Sequence, residues 1–194
     1  MAVKILLVIG LVVAVVVGVL VLTNNAARND WILGTWEGSS PGNLIMAIGH
    51  NVGAQGQETG PWVDASDLEY NLTIEFTRGL SGRFSGEVTV VERYAESTGY
   101  VGAFTADAVI HGDTVSLEAQ IQTTLSPSSP PVGKATLRLT LARKAEELAG
   151  DGSLMVVLLD EHGDEVQVAD ANGAVAPEGA SRTFREILLR RSAS

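Results

Sequence analysis

The chain has 194 residues, 13 of them basic and 23 acidic, for a formal net charge of −10. That acidity argues against a nucleic-acid partner, because holding a phosphate backbone requires a basic surface. The absence of cysteine excludes disulfide bridges and a lipid-modified cysteine anchor.

The first element is an apolar run from Ile5 to Leu22 with no charged residue. As a helix it spans about 27 Å, close to the hydrocarbon thickness of a bilayer. A cleaved signal peptide usually has an apolar core of only about 7–15 residues, and Thr23-Asn24-Asn25-Ala26-Ala27-Arg28 offers no small-x-small cleavage site. The run therefore reads as a retained single-pass transmembrane helix. Lys4 precedes it, whereas Arg28 and Asp30 beyond it nearly cancel. The positive-inside rule then puts the N-terminus in the cytoplasm and the rest of the chain outside it. Gly10, Ala14 and Gly18 recur at intervals of four and share one helical face, where small residues let a second helix approach closely. Trp31 suits the membrane interface, or is the first core residue of the domain that follows.

These features divide the chain into a cytoplasmic N-terminus and transmembrane helix (1–23), a polar linker (24–30) and an extracytoplasmic domain (31–194). With Lys4 set aside, 12 basic residues remain against 23 acidic ones, so the outer part carries a net charge of −11. Anionic lipid headgroups would repel it. A cysteine-free extracytoplasmic domain of this size fits the inner (cytoplasmic) membrane of a bacterium, facing the periplasm or exterior.

Beyond Trp31 the texture is alternating, with turns of Gly, Pro, Asn, Asp and Ser. Strands are predicted near 32–37, 43–49, 68–77, 82–92, 100–110, 114–123, 134–143, 153–160, 164–170 and 182–191. Leu68 to Phe76 and Ala135 to Leu141 alternate almost without fault, as strands with one buried face do. The segment Arg143 to Ala149 reads as a single helical turn at most. His-Gly-Asp recurs between apolar runs at 111–113 and 162–164, which signals tight turns. Short connections make an antiparallel meander. Eight to ten such strands favour closure into a barrel, which removes the edges. Segments 50–67, 124–133 and 171–181 read as long loops, the places where a rigid β scaffold carries binding.

The opening segment Ile32-Leu33-Gly34-Thr35-Trp36-Glu37-Gly38 resembles the Gly-x-Trp first strand of the calycin superfamily, the lipocalins and avidins. Leu80 to Gly86 and Leu148 to Gly152 are similar to the Leu-x-Gly strand starts of such meanders. The resemblance implies an eight-stranded up-and-down barrel closed at one end by Trp36 next to Gly34. It also implies a last-strand cation over the indole, for which Arg185, Arg190 and Arg191 are candidates. The chain has no Thr-Asp-x-x-Tyr motif, no helix after the last strand and none of the polar residues that avidins use for biotin. The resemblance therefore implies a fold and names no ligand.

No segment has the spacing of a catalytic, metal or cofactor motif. His50, His111 and His162 are scattered, and no serine sits in a Gly-x-Ser-x-Gly elbow. The acids Asp160, Glu161, Asp164 and Glu165 cluster as solvated turns do. The expectation is a non-enzymatic accessory subunit without cofactor, its helix packed against other transmembrane subunits of a complex. The alternative is a membrane-tethered, lipocalin-like carrier of a small apolar ligand.

Overall fold

The structure is a computed structural model, and it describes residues 29–48, 50–52, 58–59, 62–94, 97–124, 131–169 and 172–192. The segment predicted to be a transmembrane helix, with Lys4 and the stripe of Gly10, Ala14 and Gly18, lies outside the described residues. Among the described residues no helix is long and apolar enough to cross a membrane.

The chain divides into two units, Met1–Leu33 and Gly34–Ser194. In the first, Asp30–Ile32 form one turn of 3-10 helix, in which Ile32 is buried and Trp31 half-buried. The second is all β. Its strands are β1 (Gly34–Ala47), β2 (His50–Val52), β3 (Glu58–Thr59), β4 (Trp62–Arg78), β5 (Phe84–Tyr94) and β6 (Ser97–His111). They continue with β7 (Thr114–Thr124), β8 (Pro131–Lys144), β9 (Glu147–Leu158), β10 (Gln167–Ala169), β11 (Val175–Pro177) and β12 (Gly179–Arg191).

Eight of these strands close into an antiparallel barrel in the order β1-β12-β9-β8-β7-β6-β5-β4. Apart from the excursions between β1 and β4 and between β9 and β12, each strand pairs with its sequence neighbour. Closure comes from β12 returning to β1, with Trp36 opposite Arg191 and Ala47 opposite Gly179. The alternation read from the sequence sets the two faces: Leu68, Tyr70, Leu72, Ile74 and Phe76 are buried, while Glu69 and Glu75 between them are exposed.

Several predicted elements differ from the structure. Strands expected at 32–37 and 43–49 are one strand, because Ser39 to Gly42 forms a bulge inside β1 rather than a turn. The turn expected at Arg143 to Ala149 is the tight β8–β9 hairpin, with Lys144 opposite Glu147, so β9 starts six residues early. The segment predicted at 164–170 contributes only β10, outside the barrel. β10 joins β11, β3 and β2 in a small sheet, and these other three strands come from the regions expected to be loops. β2, β3 and β11 were hidden because they are two or three residues long, too short to show a period.

Tight curvature explains the inward-facing glycines. A Cβ at Gly38 would collide with the carbonyl of Leu188, and one at Gly150 with the carbonyl of Thr140. Glycine is the residue that lets neighbouring strands coil this closely. The bulge in β1 lies beside a second one in β12, between Phe184 and Ile187, where Glu186 takes φ +49. Two side chains replace bonds around it. The buried Ser40 hydroxyl donates to the Arg185 carbonyl at 2.7 Å, and the Glu186 N–H donates to Asp151 Oδ1 at 2.9 Å.

Candidate functional site

Three regions of the barrel carry chemistry worth weighing. The first is the end where β1 begins. Trp36 is buried there, and the Arg191 Cζ lies 5.1 Å from its ring centroid. A second arginine at this end, Arg78, stands over Phe84 at 4.8 Å. Gly34, with φ +101, turns the chain into the strand. The other two candidate arginines point elsewhere. Arg190 pairs with Glu147 on the outer surface at 2.8 Å, and Arg185 is exposed.

The second region is the interior. Tyr70, Phe76, Leu117, Leu139, Leu154 and Phe184 come from five different strands and are almost completely buried. A side chain lining a water-sized void keeps surface that water can touch. These keep almost none, so the lumen is filled at their level.

The third region is the opposite end, where the long connections lie. Here the interior turns polar. Arg182 on β12 donates from Nε to Glu92 Oε2 on β5 at 2.8 Å, across the span of β1 and β4. Their side chains are 14% and 18% exposed. The Tyr70 hydroxyl, which feels both charges, donates to the Asn43 carbonyl at 3.3 Å. Its ring meets Phe184 edge-on at 4.9 Å. Burial and the neighbouring Glu92 carboxylate push the Tyr70 pKa up to about 12, against the opposing pull of Arg182. Sequence reasoning passed over this cluster, although a signal existed. Glu92 continues the inward row of Val88 and Val90, and a charge in an apolar phase marks a buried or mouth position.

Outside the wall at the same end, an apolar groove encloses about 80 Å3. Ile45 and Met155 of the wall and Ala176 and Pro177 of β11 line it. The outward-facing Ala47 and Val157 nearby are buried, as is Val168 of β10, so the β10–β11 hairpin lies against the wall.

The histidines and acidic clusters remain dispersed. Asp160 Oδ1 accepts the N–H groups of His162 and Asp164, each at 2.9 Å, which ties up the carboxylate in its own turn and lowers its pKa. Among the described residues no group of three or more His, Cys, Asp or Glu could hold a metal ion.

Comparison with protein-family models, with curated proteins and with solved structures gave no match. The closed eight-stranded meander is compatible with a calycin-like fold.

Proposed function

We propose that this chain is a non-enzymatic, single-pass accessory subunit of a larger membrane protein complex. Its N-terminal segment packs in the membrane through Gly10, Ala14 and Gly18, and its barrel braces partner subunits outside. Lys4 holds the N-terminus in the cytoplasm of a bacterium and Trp31 sits near the interface. A respiratory or photosynthetic assembly is the type of host envisaged. The observation that carries this reading is the filled lumen: large side chains occupy the volume in which a carrier barrel would hold its ligand. Calycin-like closure through Trp36 and Arg191 supports a rigid scaffold.

The test replaces Gly10 and Gly18 by Leu. The segment stays apolar and long enough to insert, but two isobutyl groups hold a partner helix away. The double variant should remain in the membrane fraction and separate from its complex in gentle detergent. Normal co-purification would move the weight to a second reading, a membrane-tethered carrier of a small apolar ligand. That reading draws on the outer groove at Ile45 and Met155, whose lining is apolar. A reporter fused after Ser194 tests the orientation, with activity expected only outside the cytoplasm.

A further inference from the structure

The barrel wall is stitched unevenly. Leaving their shared turn, β6 and β7 pair only from His111 opposite Thr114 to Asp107 opposite Glu118. Both strands run on, β6 back to Ser97 and β7 to Thr124. On their other sides they stay paired to the end, Ser97 with Tyr94 of β5 and Thr124 with Pro131 of β8. Toward each other they fork. Among the described residues no other strand pairs with the facing edges of Tyr100–Ala106 and Ala119–Thr124.

Such a fork is costly unless something fills it, because edge N–H and C=O groups seek partners. Its side chains suggest what fits. Phe104, Ala106, Ala119 and Ile121 face inward. The first three are buried, but Ile121 is 39% exposed although it shares an inward row with the buried Val115 and Leu117. The outward positions Ala103, Thr105, Gln120 and Gln122 are exposed and uncharged.

We propose that the fork between β6 and β7 is a strand-insertion site for an extended segment of a partner protein. The segment would run parallel to one edge and antiparallel to the other, completing both ladders. Only an extended backbone repeats donors and acceptors at the strand spacing of about 3.3 Å per residue. An apolar small molecule would leave those groups unpaired. The inserted strand alternates, with apolar residues over Ile121 and Phe104 and polar ones outward. With a net charge of −11 outside Lys4, the chain favours a neutral or basic segment. The choice of a partner subunit as donor rests on the accessory-subunit reading; the fork itself does not.

The test uses the full chain in detergent and amide hydrogen exchange. The probe is a synthetic peptide of alternating valine and threonine with lysine at each end, about ten residues long. Without it, edge amides in 103–106 and 119–122 should exchange on the order of tenfold faster than those of the paired 107–111. With it they should slow by a similar factor, and a peptide with proline at its centre should have no effect. Because the chain lacks cysteine, Thr105→Cys with Gln120→Cys introduces a single bridge, at positions opposite one another if the register continued. Oxidation should abolish the peptide effect and reduction restore it. If that variant misfolds, the proline comparison on the natural chain still decides. Slow exchange without peptide, an equal effect of the proline peptide, or protection only at other edges would each overturn the proposal. Protection that rises with protein concentration alone would replace the partner by a second copy of this chain. Failure of the Gly10 and Gly18 test with success here would leave the fork standing and remove only the membrane complex.

Discussion

Arg182 Nε and Glu92 Oε2 meet at 2.8 Å inside the barrel mouth, although 90 residues separate them. An ion pair taken largely out of water contributes little net stability, but removing one partner leaves the other charge stranded. Arg182→Met should therefore destabilise the chain by about 2–3 kcal/mol, allowing for the solvent that still reaches the pair. The double variant Glu92→Leu with Arg182→Met should recover to within about 1 kcal/mol of the parent. Urea unfolding of the four proteins in one cycle checks this. Additive losses would mean that the two charges are not coupled.

Tyr70 predicts alkaline behaviour. Its folded pKa of about 12 lies above the unfolded value near 10. A raised pKa contributes stability that is complete below the unfolded value and is lost as pH climbs through the folded one. The parent should lose about 2–3 kcal/mol from this group between pH 10 and pH 12. Tyr70→Phe should be weaker at neutral pH by about 1 kcal/mol, through the lost hydroxyl bond, and show a shallower decline above pH 10. Parallel pH profiles of the urea midpoint would refute the assignment.

Two backbone positions predict changes of opposite sign. Ala145 carries φ +55 in the exposed β8–β9 turn, a conformation that suits glycine. Ala145→Gly should stabilise by about 0.5–1 kcal/mol, raising the thermal midpoint by about 1–4 °C. Gly150→Ala should destabilise by about 1–3 kcal/mol, because the added Cβ runs into the Thr140 carbonyl. Calorimetry on both variants gives the signs directly.

The closed end of the barrel predicts an unequal pair of losses. Trp36→Ala removes a buried indole and should cost about 3–5 kcal/mol. Arg191→Ala removes only the guanidinium over that ring, at 5.1 Å, and should cost about 0.5–1 kcal/mol. In the Trp36→Ala background the arginine change should have almost no further effect. A full additional loss there would show that Arg191 acts through some other contact.

The sequence by itself determined the β character, the tight turns at Gly112 and Gly163 and the inward face of most strands. These are local properties: period-two alternation assigns faces residue by residue, as at Leu68 to Phe76, and Gly112 or Gly163 permits a turn whatever lies far away. Tertiary structure decided what depends on register between distant strands. Ser39-Ser40-Pro41-Gly42 has the composition of a turn, yet β12 and β4 on either side hold it as a bulge within one strand. Glu92 stands out in the apolar row of Val88 and Val90, but its partner Arg182 was set only when closure of the barrel brought β5 and β12 within reach of each other. The fork between β6 and β7 was beyond local reading altogether. Both strands have normal strand sequences, and only the curvature of the closed wall sets how far along their length they can stay hydrogen-bonded.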